Sequence, residues 1–119
     1  MKKTVVLGAS LKPERASNQA VHRLQKDGHE VIALGFREGT IDQVTIVTEW
    51  EHYKEVDTLT LYLNPQRQAT YYDYILTMNP KRIIFNPGTE NPELVQKAKA
   101  QGIEIEIACT LVLLSVDAY

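Results

Sequence analysis

The chain has 119 residues, a length typical of one domain (residues 1–119), and its 44% hydrophobic content is enough to fill one core. Thirteen basic against fifteen acidic residues leave a formal charge of −2, with no Lys/Arg block, which argues against the basic face a nucleic-acid binder needs. A single cysteine, Cys109, excludes an internal disulfide and a cysteine-based zinc site. No apolar run is long enough for a membrane span or a signal segment, so a cytoplasmic protein is expected.

Along the chain, short β-branched runs alternate with polar, helix-compatible segments, the pattern of an α/β protein with a mainly parallel sheet. Lys3–Leu7 reads as a first strand, continuous in apolar character as a strand buried on both faces should be. Ser17 or Asn18 is placed to cap the first helix, with Ala20, Val21 and Leu24 as its apolar stripe and Gly28 as its stop. Glu30–Leu34 is the second strand, residues 36–43 a loop, Val44–Val47 a short third strand and Glu49–Lys54 a brief helix. Asp57–Tyr62 is the fourth strand. Gln66–Met78 follows as one helix, with Ala69, Tyr72, Ile75 and Leu76 on its inner side.

Arg82–Phe85 is the fifth strand, and Asn91 with Pro92 opens the next helix, whose inward residues are Leu94, Val95 and Ala98. Ile103–Ile107 alternates strictly and should lie at an edge. The fold class is therefore a single Rossmann-like, doubly wound, mainly parallel sheet of order 3-2-1-4-5, plus that sixth strand at the edge.

In such a sheet the binding crevice lies beyond the carboxyl ends of the strands, where the strand order reverses. The first exit, "VVLGASLKPERASN", combines Gly8 for close backbone approach, Ser10 as a hydroxyl donor, Arg15 as a guanidinium fork and a helix start at Ser17–Asn18. Helix N–H groups and an arginine together favour a phosphate. The loop is too long for the tight dinucleotide turn and lacks its later glycines. The second exit offers Gly35, Phe36 and Arg37 where an NAD site wants a carboxylate for the ribose diol. An arginine there suits a phosphate on the ribose, and Phe36 suits adenine. Coenzyme A and NADP both carry such a ribose phosphate.

Gly8, Ala9 and Ser10, followed by Pro13, Arg15 and Ser17, match an opening G-A-S and P-x-R-x-S pattern. With them the chain resembles the small stand-alone CoA-binding proteins, whose domain is similar to the CoA-binding domain of succinyl-CoA synthetase α subunits. "KDGHEVIALG", "LYLNPQ" and "FNPGTENPELVQKAKAQGIEIEIACT" follow the same family in order, so the similarity covers essentially the whole chain. Two places depart from it: "ALGF" stands where many members have a proline-rich exit, and Leu63-Asn64 where many have an arginine before the proline.

The resemblance implies a site for coenzyme A or an acyl-CoA. Within it, the Gly8–Ser10 amides, Arg15 and the Ser17–Asn18 helix start are assigned to the diphosphate. Gly35, Phe36 and Arg37 are assigned to the adenine and ribose phosphate, with Asn64, Pro65, Asn86, Pro87 and Gly88 walling the crevice.

Other chemistry is sparse. Cys109 reads as a small buried hydrophobe, with a thiol facing the CoA thiol as its functional alternative. His22, His29 and His52 sit among charges and read as solvated. Tyr71, Tyr72 and Tyr74 span the inner and outer faces of one helix and are not read as an aromatic platform. No metal-ligand set, acid–base pair or nucleophile elbow is visible, which favours a binding protein over an NADP-linked or CoA-dependent enzyme. A third alternative is a partner-docking module with a vestigial site. The apolar "TLVLLSVDAY" exceeds what a free tail needs, and is expected to pack as a short helix or to bury the surface of a homodimer or protein partner.

Overall fold

A computed structural model describes residues 1–119. Its elements are β1 (Thr4–Ala9), α1 (Ala16–Lys26), β2 (Val31–Gly35), β3 (Gly39–Ile41), β4 (Val44–Val47), β5 (Thr58–Leu61), α2 (Pro65–Gln68), a 3-10 turn (Ala69–Tyr71), α3 (Tyr72–Met78), β6 (Arg82–Phe85), α4 (Pro92–Ala100), β7 (Glu104–Ile107) and α5 (Thr110–Ser115). The seven strands order as β3-β4-β2-β1-β5-β6-β7. All neighbours are parallel except β3 and β4. This is the expected Rossmann-like order with β7 at one edge, extended at the other edge by the short strand β3.

The strands explain themselves by burial. Val5 and Leu7 face one side of the sheet and Val6 and Ala9 the other, so β1 has no solvated face. Val5 and Leu7 join Leu59, Leu61, Ile83 and Phe85 beneath Ile75 of α3 and Leu94 and Ala98 of α4. On the opposite face Val6, Ala33 and Ile46 meet Ala20, Val21 and Leu24 of α1 and Leu114 of α5. Each such aliphatic side chain, buried fully, contributes about 1.5–3 kcal/mol of transfer free energy.

α1 closes as its sequence foretells. Gly28 takes φ +88°, and the Gly28 and His29 N–H groups donate to the Gln25 and Leu24 carbonyls at 3.0 and 3.1 Å, a Schellman motif. Its start differs from expectation. Arg15 is the N-cap residue in extended conformation, and no side chain caps the helix. Ser17 and Asn18 lie inside the first turn, both buried.

Three other local expectations are corrected. The loop at 36–43 contains β3, which turns into β4 through Asp42 and Gln43. Asp42 at φ 55° supplies the left-handed residue that a two-residue hairpin turn needs. No helix forms over Glu49–Lys54. Trp50 and Tyr53 instead pack on the core, and the Trp50 indole donates to the Gly35 carbonyl at 3.2 Å.

The helix expected over 66–78 is interrupted by the 3-10 turn at Ala69–Tyr71. Gln68, not Ala69, is buried there, because its amide donates to the Leu63 and Thr89 carbonyls, each at 2.8 Å. No helix is long and apolar enough to cross a membrane.

Candidate functional site

β1 lies between β2 and β5, and its exit is where the strand order reverses. A cleft of about 630 Å³ opens there, lined by Gly8–Lys12, Arg15–Ser17, Phe36, Arg37, Tyr62, Leu63 and Arg67. Gly8 at φ +103° lets the β1 exit close on β5. A side chain there would meet the Tyr62 backbone carbon at 3.1 Å and the Leu63 side chain at 3.2 Å.

The loop between β1 and α1 is held by its own polar groups. The Asn18 amide donates to the Ser10 carbonyl at 2.9 Å, the Ser10 hydroxyl accepts from the Lys12 N–H at 3.1 Å, and the Arg15 N–H donates to the Lys12 carbonyl at 3.0 Å. Because no side chain caps α1, its first N–H groups remain open, and Ala16 and Ser17 line the cleft. At the β2 exit, Gly35 is buried so tightly that a side chain would meet the Ala9 carbonyl oxygen at 2.7 Å. It presents Phe36 and Arg37 to the same space.

Of the residues singled out from the sequence, Gly8, Ala9, Ser10, Arg15, Ser17, Phe36 and Arg37 come together on the cleft wall. Asn18 and Gly35 stand behind it as supports. Pro13 is exposed in the loop but outside the lining. Asn64 and Pro65 also lie outside it; they start α2, where the Asn64 side chain accepts from the Arg67 N–H at 2.9 Å. Asn86 is buried, donating to the Thr60 hydroxyl at 2.7 Å and the Leu61 carbonyl at 2.9 Å and accepting from the Thr110 N–H at 2.9 Å. It ties the β5 and β6 exits to α5. Pro87 and Gly88 are exposed beyond the lining. Cys109 is half-buried and stands at the N-cap of α5.

Five lining residues are not among those the sequence singles out: Leu11, Lys12, Ala16, Tyr62 and Arg67, with Leu63 noted only as a departure from the family pattern. Lys12 sits in the loop between β1 and α1. Arg67 restores a guanidinium to the β5 exit, where Leu63-Asn64 lacks one. Its guanidinium carbon lies 4.1 Å from the Phe36 ring centroid. Phe36 in turn meets Trp50 at 5.4 Å and Tyr71 at 6.1 Å, and Trp50 meets Tyr71 and Tyr74 at 4.8 and 5.5 Å. Two tyrosines of the α2–α3 segment thus join an aromatic cluster whose other members come from the β2 exit and the segment before β5.

The electrostatics are one-sided. Lys12, Arg15, Arg37 and Arg67 line the cleft and no Asp or Glu does. The chain's two ion pairs, Arg23–Asp27 and Arg82–Glu106, involve none of them. Burial pushes the Tyr62 phenol up to about 12, so it stays neutral at the cleft wall.

A mainly parallel sheet flanked by helices, with a cationic cleft at its switch point, defines a Rossmann-like α/β protein. The chain belongs to the CoA binding domain family, whose model matches residues 2–115. It is similar to the crystal structure of an uncharacterized protein, with 48% identity over 100% of this chain and 98% of that one and a TM-score of 0.97. It is also similar in fold to a Thermus thermophilus protein (22% identity, 99% of this chain, 91% of that one, TM-score 0.84). A hypothetical protein from Pyrococcus horikoshii OT3 shares the fold as well (24% identity, 93% and 80% covered, TM-score 0.82). No curated protein matches the chain.

Proposed function

We propose that this protein binds coenzyme A or an acyl-CoA in the cleft between the β1, β2 and β5 exits, and catalyses no reaction on it. One observation carries the proposal: four cations and no carboxylate line the cleft of a chain whose net charge is −2. Such a concentration of one sign suits a ligand with several phosphate charges. Coenzyme A has a diphosphate and a ribose phosphate. Arg15 and the open N–H groups of α1 suit the first, Arg37 the second, and the Phe36 ring the adenine between them. The wall is otherwise small residues, aliphatic side chains and a neutral phenol, which supports binding without acid–base chemistry.

Thermal shifts with coenzyme A, dephospho-CoA, NADP and NAD test this. A ligand at about a hundredfold excess over its Kd stabilises the folded chain by about 2.7 kcal/mol. Coenzyme A should give the largest shift, dephospho-CoA a smaller one and NAD little. Equal shifts for coenzyme A and dephospho-CoA would remove the ribose-phosphate contact. A larger shift with NADP would favour a dinucleotide. No shift with any of them would turn the protein into a docking module. Multiple turnovers of an acyl-CoA thioester would overturn the non-catalytic half of the proposal.

A further inference from the structure

Phe36 is 44% exposed, yet the open face of its ring is not free. Trp50 and Tyr71 flank the ring at tilted angles. The Arg67 guanidinium lies against it at 4.1 Å, close to van der Waals contact. A base stacked on the same face needs that space, so it cannot enter while the guanidinium stays. Arg67 is itself stationed there by its backbone, since the Asn64 cap and Pro65 fix the start of α2. Its side chain is exposed and takes part in neither ion pair of the chain, so nothing but the ring holds it.

We propose that Arg67 is an exchangeable cover on Phe36: an adenine base takes its place on the ring, and the released guanidinium moves to the ligand's phosphates. This rests on the nucleotide reading of the cleft. The direction of the exchange follows from relative strength, because a charge-assisted hydrogen bond to phosphate outweighs a solvent-exposed cation–π contact. A base with phosphate nearby offers Arg67 a better partner than the ring. A base without one must displace the arginine uncompensated. Arg67 therefore selects phosphorylated adenosines over adenosine, a discrimination exercised at the base subsite and independent of Arg15.

The full-length chain and its Arg67→Ala and Arg67→Lys variants can be titrated with adenosine and with adenosine 3′,5′-bisphosphate, by calorimetry or ligand-observed NMR. Arg67→Ala should bind adenosine about two- to fivefold more tightly, because the cover is gone. It should bind the bisphosphate about tenfold or more weakly, because the phosphate partner is gone. Arg67→Lys should recover part of the bisphosphate affinity.

The opposite signs are the signature. Weakening of both ligands would mean that Arg67 merely shapes α2 or stays stacked above the base, and unchanged affinities would make it a bystander; either result overturns the inference alone. If the wild-type chain bound neither the bisphosphate nor coenzyme A, the nucleotide reading would fall and this inference with it.

Discussion

Arg15 and Arg67 face the same cleft, and only one of them was visible in the sequence. Arg15 follows Gly8 in a single loop, so local order alone places it beside the opening of a helix. Arg67 reaches Phe36 only because β1 separates β2 from β5 and the Asn64–Pro65 start aims α2 back over the β2 exit. That is a tertiary fact with no local signature. Arg15 also provides the sharper test of the phosphate site. Its backbone begins α1, but its guanidinium joins no ion pair, so the side chain is free for a ligand. Arg15→Ala should weaken coenzyme A binding by about 1.5–3 kcal/mol, the value of charge-assisted hydrogen bonds lost from a phosphate. Arg15→Lys should recover part of it, since an ammonium lacks the planar fork. Unliganded stability should move by no more than about 0.5 kcal/mol. Calorimetric titration beside thermal denaturation separates the two effects, and unchanged affinity in Arg15→Ala would place the phosphates elsewhere.

At the scale of elements, what was legible depended on chemistry confined to a few adjacent residues. Asn91-Pro92 announced α4, and there the Asn91 side chain accepts from the Glu93 and Leu94 N–H groups at 3.1 and 3.4 Å. Arg82–Phe85 and Val44–Val47 read as strands because β-branched and aromatic residues fill all but the first position, Arg82. The 3-10 break after Gln68 was not readable, because a buried glutamine at an interior position looks, by periodicity, like a solvated one. The β3–β4 hairpin escaped because Asp42-Gln43 lacks the glycine that usually marks such a turn.

The Asn91 amide shows the same limit. Besides capping α4 it donates to Gln68 Oε1 at 2.9 Å and to the Tyr72 hydroxyl at 2.7 Å, joining α4 to α2 and α3. Asn91→Ala removes the cap and strands the buried Gln68 oxygen, so urea denaturation should show a loss of about 2–4 kcal/mol. Asn91→Ser should restore the cap but not the amide bridge, and so recover only part. A loss under about 1 kcal/mol in Asn91→Ala would mean the bridge contributes nothing beyond an ordinary cap.

Across the whole molecule, the cleft occupies the carboxyl end of the sheet while both chain ends meet at the amino end. The Lys2 ammonium donates to the Tyr119 carbonyl at 2.8 Å, and the Tyr119 and Thr4 hydroxyls share a hydrogen bond at 2.5 Å. The Arg82 guanidinium lies 4.6 Å from the Tyr119 ring centroid. His29 completes this cluster: its Nδ1 accepts from the Lys2 N–H at 3.0 Å, and its ring meets Tyr119 edge-on at 5.0 Å. From sequence it reads as a solvated histidine, because nothing in its sequence neighbourhood reveals that the chain termini cover it.

Burial, against the opposing pull of Asp27, holds its pKa below the ordinary 6.5, and the N-terminal and Lys2 charges push the same way. The unfolded chain therefore takes up the proton first. The stability that neutral His29 contributes is present above about pH 6.5 and is lost as pH falls through its lower folded value. Protonation would also turn Nδ1 from acceptor to donor and expel the Lys2 N–H. Melting temperature measured between about pH 7.5 and 5.5 should fall more steeply for the wild-type chain than for His29→Gln, which cannot titrate. Because carboxylates are common to both chains, their contribution cancels in the difference. Coenzyme A affinity should be the same in both, since the substitution lies at the far end of the strands from Arg15. Parallel melting curves would mean that His29 titrates alike in the folded and unfolded chain, and that the contacts around Tyr119 hold without it.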